Sequence, residues 1–161
     1  MTTKPRTSTP RTATILLGLL LFQGVSALIG GSVLILDPSG GIIGMSTAAL
    51  QGSPFANYLI PGLILFCVLG VLPMITAYGL WRRPSLAVLT SVERTFEKHW
   101  SWVASLMIGF ALIFWIIVQG FMIGFGHPLQ VIYFTLGVII VLVTLLPSVQ
   151  HHFQTIRLAR A

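Results

Sequence analysis

No Asp, Glu, Lys or Arg occurs between Arg11 and Asp37, between Asp37 and Arg82, or between Lys98 and Arg157. Segments this long without a charge cannot cover a water-facing surface. The whole chain shares the bias: 55% of its 161 residues are hydrophobic and only 7% are charged. A typical soluble domain carries about 25% charged residues. Hydrocarbon is the solvent that accepts such a chain. There, every backbone N–H and C=O has to be bonded within the protein, which only helices and closed barrels achieve. The apolar runs reach about 20 residues, the length of a membrane-crossing helix rather than of a strand. The expected fold is therefore all-α: a polytopic membrane protein built as an antiparallel bundle of four transmembrane helices, with an outer lid-like loop and an inner amphipathic helix.

The spans are expected at about 12–36, 58–81, 100–124 and 128–149. The first would extend about 37 Å at 1.5 Å per residue, enough to cross a core of about 30 Å with some tilt. It exceeds the apolar length of a cleavable signal and no clear cleavage site follows, so it reads as a retained helix. Ser53-Pro54 reads as an N-cap with proline at the first helical position, which starts the second helix ahead of the membrane core. Pro61 and Pro73 within that span predict kinks. Phe125-Gly126-His127 leaves room only for a tight turn, so spans three and four form an antiparallel hairpin. Residues 1–11, polar and basic, are expected to be a disordered tail. Residues 150–161 form a second tail.

The nine Lys and Arg residues all fall on one side of this arrangement. Lys4, Arg6 and Arg11 precede span one, Arg82, Arg83, Arg94 and Lys98 separate spans two and three, and Arg157 and Arg160 follow span four. The positive-inside rule makes that side cytoplasmic. An odd number of spans would break the segregation. Membrane orientation thus accounts for the net charge of +6, and no nucleic-acid partner is expected.

Two loops are long enough to fold. The outer one, Asp37 to Asn57, opens with the turn signature Asp37-Pro38-Ser39-Gly40. Ser46 or Thr47 is placed to cap a short helix ending at Gly52. Ile42, Ile43, Met45 and Leu50 make the loop apolar enough to lie on the membrane or over the bundle mouth, either as a packed lid or as the cover of a pocket. In the inner loop, Leu86, Leu89, Val92 and Phe96 recur at three- and four-residue steps, with Ser85 placed to cap. That pattern predicts an amphipathic helix in the headgroup layer or against a partner.

No charged residue or histidine falls within the core of a span, which argues against proton or ion chemistry. Gln23 lies at mid-depth in span one, level with Gly70 of span two, and reads as an interhelical hydrogen-bonding residue. Gly120 and Gly124 form a GxxxG step, a candidate helix–helix contact. Gln119, with Trp115 one turn below it, joins Asn57, Tyr58, His127 and Gln130 near the outer face. Together these six are the candidate ligand pocket, apolar with a few polar groups. By helical rise Gln119 lies about 7 Å and Gln23 about 19 Å below the outer surface, too far apart to bond each other. A faint echo, Gln23-Gly24 with Gln119-Gly120 and Leu69-Gly70-Val71 with Leu136-Gly137-Val138, suggests a duplicated hairpin.

The chemistry of catalysis is sparse. Cys67 is the only cysteine, so no disulfide or CxxC pair is available. His99, His127, His151 and His152 sit at span ends or in a tail, without metal-ligand spacing. No cofactor or metal is expected, and an enzyme is the least favoured class. The runs DPSGGIIGM…LQGSPFANYLIPGLILF and FWIIVQ…LQVIYFTLG resemble small bacterial four-span integral membrane proteins to which no activity is attached. That resemblance implies a four-helix fold and transfers no functional residue; the expected location is a bacterial plasma membrane, with both termini cytoplasmic by the charge pattern above. Two functions stay open. The favoured one is a structural or accessory subunit that self-associates or joins a larger membrane complex. The other is a binder or transporter of a small neutral or lipid-like molecule through the outer pocket.

Overall fold

The computed structural model describes residues 9–154. The expectations for Lys4, Arg6, Arg157, Arg160 and most of both tails lie outside the described residues. Helix α1 spans Arg11–Leu36 and α2 spans Leu59–Arg82. Helix α3 is short, Thr90–Phe96, followed by α4 at Trp100–Ile123, α5 at Pro128–Leu145 and α6 at Pro147–His152. Among the described residues there is no strand, only an isolated bridge between Lys98 and Gln154. Helices α1, α2, α4 and α5 are each long and apolar enough to cross a membrane, and no more than 33% of the most apolar stretch of each is buried inside the protein. Their outward faces carry Phe22, Phe114, Phe121 and Leu142, all more than half exposed. Helices apolar on all sides belong in lipid, and the chain is a membrane protein on these grounds.

The bundle has two distinct ends. At the terminal face, Thr12 and Ser148 share a hydroxyl hydrogen bond of 2.9 Å, Arg83 meets His152, and the His99 N–H donates to the Phe153 carbonyl at 2.8 Å. Residues 150–154, expected to belong to the second tail, are partly docked: Phe153 is buried within the core cluster. At the other end, the hairpin face, lie the 37–58 segment and the tight turn before α5.

Prolines decide where the helices break. Pro73 has no N–H to give the Leu69 carbonyl four residues back, and the turn before it, Cys67–Val71, relaxes into a π-helix. Pro147 ends α5 instead of bulging it. Leu146, the residue before it, takes the extended conformation (ψ 135°) that a following proline favours, so the span expected to reach 149 ends at Leu145 and α6 starts afresh. Helix α2 does not begin at Ser53-Pro54. The Ser53 hydroxyl accepts from Phe55 N–H at 3.2 Å, a local turn, and the Asn57 side chain accepts from Leu59 N–H at 3.0 Å. The inner amphipathic helix is also shorter than its periodicity implies. Arg83 adopts a left-handed backbone (φ 49°), Pro84 follows, and Ala87–Leu89 is a single 3-10 turn. Only Thr90–Phe96 is α-helical, with no side-chain cap from Ser85.

Small residues set the close approaches. A Cβ at Gly31 of α1 would lie 2.7 Å from the Phe66 backbone nitrogen and 2.9 Å from the Gly62 carbonyl oxygen of α2. A Cβ at Gly70 would meet Leu28 of α1, so Gly70 is a helix contact, as its depth suggested. Gly109 and Gly137 do the same for α4 and α5: each hypothetical Cβ would be 3.2 Å from the other's carbonyl oxygen. Gly120 and Gly124 are not the helix–helix step their spacing implied. The Phe125 ring folds back onto Gly120, and Gly124 leaves the helix with φ 90° to start the turn. The internal echo would place Gly120 opposite Gly137, whereas Gly109 takes that place.

Replacing Gly31 by Leu is therefore expected to destabilise the bundle by roughly 1–3 kcal/mol, the usual range for overpacking. Gly18→Ala, where an added Cβ meets nothing within 4 Å, should stabilise by about 0.5–1 kcal/mol through helix propensity. Unfolding of both variants in one detergent checks the pair. A second expectation concerns acid. His99 caps α4, its Nδ1 accepting from Ser101 N–H at 3.4 Å, and a proton on Nδ1 would remove that cap. Burial holds its pKa below the ordinary 6.5; Glu93 and the Pro84 carbonyl oppose this and Arg83 adds to it. A lowered pKa means that the unfolded chain takes the proton first. His99's contribution is then full above pH 6.5 and falls as the pH drops below it. Melting temperature should decline from pH 7.5 to 5, and less steeply in His99→Asn.

Candidate functional site

A cavity of about 370 Å³ lies between α1 and α4 on the hairpin face. Helix α1 contributes Gln23, Ala27, Gly30 and Leu34, steps of four, three and four residues that share one helical face. Helix α4 contributes Leu112, Trp115, Ile116, Gln119 and Ile123. Pro61 and Leu65 of α2 and Leu129 and Tyr133 of α5 complete the walls. From Gln23 to Leu34 the helical rise gives a depth of about 16 Å. No Asp, Glu, Lys, Arg or His lines it.

The 37–58 segment covers one end of the cavity through Ile43, Met45, Leu50 and Tyr58. Local chemistry gives the segment its shape. The Asp37 carboxylate accepts from the Ser39 N–H at 3.1 Å, the Ser39 hydroxyl at 2.5 Å and the Ile42 N–H at 2.8 Å. These bonds, the Ser39 hydroxyl foremost, hold the Asp37 pKa below its ordinary value. The Ser46 hydroxyl accepts from Ala48 N–H at 3.2 Å and caps the 3-10 turn Thr47–Leu50, one of the two caps the sequence offered. Tyr58 ties the segment down: its N–H donates to the Pro38 carbonyl at 2.9 Å and its hydroxyl to the Ser46 carbonyl at 3.0 Å. Tyr58 and Leu50 are both buried, so the outer loop is a packed lid with a cavity beneath it.

Gln23 forms the floor. Its side chain is 1% exposed. Nε2 donates to the Leu69 carbonyl at 3.2 Å, the carbonyl that Pro73 deprives of a helical donor. The opposite end of the amide, Oε1, is buried and receives no hydrogen bond. Its orientation follows from chemistry, because turning the amide over would set two acceptor oxygens against each other. Higher in the cavity, Gln119 is half-buried, and no protein group bonds its amide among the described residues.

Of the six residues proposed for the pocket, Gln119, Trp115 and Tyr58 line the cavity. Asn57, His127 and Gln130 do not. Asn57 is exposed and serves the start of α2. His127 is the N-cap of α5, its Nδ1 accepting from Leu129 N–H at 3.3 Å. Gln130 is buried but fully engaged: Oε1 accepts from Gly126 and His127 N–H, and Nε2 donates to the Gly124 carbonyl at 2.8 Å. The two form a reciprocal capping box, a role that the spacing His127-Pro128-x-Gln130 could have signalled. Gln23, read as a helix contact, is that and the cavity floor as well. Tyr133 and Gly30 were missed; nothing in the sequence sets either apart from its apolar neighbours.

Comparison with protein-family models, curated proteins and solved structures gave no match.

Proposed function

We propose that this protein binds an uncharged, lipid-like molecule in the cavity under its lid. The lining is the observation that carries the reading: apolar walls, no carboxylate, ammonium, guanidinium or imidazole, and a few amide, hydroxyl and aromatic polar groups. That composition, at about 370 Å³, matches small-molecule sites, which run about 300–1,000 Å³ and are mostly apolar with few polar contacts. A charged guest would be buried there without a counter-ion, at prohibitive cost. The protein would act in a bacterial plasma membrane with both ends cytoplasmic, by the positive-inside rule, and the lid would then face outward.

A second reading, an accessory subunit of a membrane complex or homo-oligomer, rests on one other observation. Leu86, Val88 and Phe96 are exposed on the terminal face, Val88 at 90%. A partner protein or the lipid headgroup layer would each cover them.

Native mass spectrometry of protein released from mild detergent separates these readings. The first expects a monomer carrying a lipid-like adduct, lost in Gly30→Leu. A Cβ at Gly30 comes no closer than 3.4 Å to another atom, so leucine there should fill the cavity without unfolding the bundle. An adduct-free monomer in the unaltered chain would refute it, and a stoichiometric protein partner would support the second reading. For orientation, single cysteines at Ser46 and Ser85 in a Cys67→Ser background should react with an impermeant maleimide from opposite sides of the cell membrane. Ser46→Cys is expected to label in intact cells and Ser85→Cys only after lysis.

A further inference from the structure

We infer that a crevice on the terminal face holds an anionic phospholipid, with the lipid phosphate on Arg83. The site lies at the opposite end of the bundle from the lidded cavity and does not depend on what that cavity binds. The crevice, about 480 Å³, opens where the start of α1, the end of α2 and α6 meet. Ala13, Leu17 and Leu80 give it an apolar side, and Arg83 and His152 give it a polar one. The guanidinium itself stands at that wall. It meets His152 Nε2, and its Cζ lies 4.7 Å from the centre of the Phe153 ring, another lining residue. A guanidinium only donates, so Nε2 is the acceptor and His152 is neutral. Burial, and then the Arg83 charge, hold the His152 pKa below 6.5 and keep the ring neutral at pH 7. Arg83 is therefore the only charge among the lining residues. It pairs with no carboxylate among the described residues; Glu93 is turned to His99 instead, at 3.7 Å. His152 takes part of its donor capacity, and the remaining N–H groups are left for an acceptor from outside the protein. Phosphate oxygens suit a guanidinium fork. An ammonium-bearing headgroup would add a second cation beside Arg83 where no lining carboxylate offsets it, so a lipid of net negative charge is favoured over a zwitterion. The apolar side receives the upper acyl chain, which a free phosphate lacks. Basic pockets between membrane helices at the headgroup layer are suited to such lipids.

Native mass spectrometry of the full chain, delipidated in mild detergent, tests this with three probes: dioctanoylphosphatidylglycerol, dioctanoylphosphatidylcholine and inorganic phosphate. The phosphatidylglycerol should bind more tightly than the phosphatidylcholine. A hydrogen bond to a charged group corresponds to roughly tenfold in affinity, so Arg83→Asn should weaken phosphatidylglycerol about tenfold; asparagine tolerates the left-handed backbone there. Arg82→Asn removes the same charge from a side chain outside the lining, stacked 4.5 Å from the Trp81 ring, and should leave binding nearly unchanged. Equal weakening by the two variants would reduce the attraction to diffuse surface charge and overturn the site. Equal affinity for the two lipids would overturn the anionic assignment, and displacement of the lipid by inorganic phosphate at equal concentration would assign the crevice to free phosphate instead. A phosphatidylglycerol with a diazirine in its headgroup needs no variant. It should label residues 9–17 or 149–154 of the unaltered chain, and labelling confined to other residues would overturn the inference whether or not Arg83→Asn folds. Gly30→Leu should keep the phosphatidylglycerol adduct while losing the neutral one, so failure at this crevice and failure at the lidded cavity are read separately.

Discussion

A carbonyl released from its helix inside hydrocarbon has no water to turn to, and this bundle is organised around two such carbonyls. Pro73 frees Leu69, and the helix break at Leu146-Pro147 parts the Thr144 carbonyl from its helical donor, Ser148 N–H; each is met by a side chain from a neighbouring helix. Gln23 of α1 donates to Leu69 of α2 at 3.2 Å, and Trp102 Nε1 of α4 donates to Thr144 of α5 at 2.8 Å. A proline is tolerated at such depth because a neighbour repairs the break. Each repair also fixes which helix lies beside which and at what height. The individual bond is modest, about 0.6 kcal/mol on average within membranes. The alternative, an unpaired carbonyl in lipid, costs several times more, so these positions hold the register of α1 on α2 and of α4 on α5.

The glycines then fix how close those pairs come. Gly24, Gly31, Gly62 and Gly70 bring α1 and α2 into backbone contact, and Gly109 and Gly137 do so for α4 and α5. Close contact within each pair leaves less between them. On the terminal face, Trp102, Val149 and Phe153 fill the space. On the hairpin face, α1 and α4 turn Ala27, Gly30, Leu112 and Ile116 towards the same space, and these side chains do not close it. The cavity is thus a consequence of two tight hairpins packed unequally along their length, and the lid covers the end where the packing is poorest.

The spans were legible because each integrates many residues. A charge-free run of about 20 residues is insensitive to any single side chain, and basic residues confined to alternate connections leave little freedom in counting helices. Trp115 and Gln119 were found because both sit on one helix at a spacing that fixes their shared face. Asn57, His127 and Gln130 were misplaced for the opposite reason. Proximity to the outer surface says where a polar side chain is, while the unpaired N–H groups of a helix start, a turn away, decide what it bonds. The inner helix shortened because periodicity registers the apolar positions but not the left-handed Arg83 or the proline after it.

Gln23 was the residue whose meaning changed most. Read in one dimension it is a polar side chain in a span that needs a partner, and a single interhelical bond meets that need. A glutamine amide, however, has two ends with opposite demands. Satisfying the Leu69 carbonyl consumes the nitrogen and leaves the oxygen pointing away from the only partner α2 offers. If Gln23 served helix pairing alone, a donor with no second polar atom would do the same at lower cost; the indole of Trp102 does so on the other side of the bundle. An amide at Gln23 keeps a buried acceptor unpaired within the protein, and an unpaired polar atom costs about 1–3 kcal/mol.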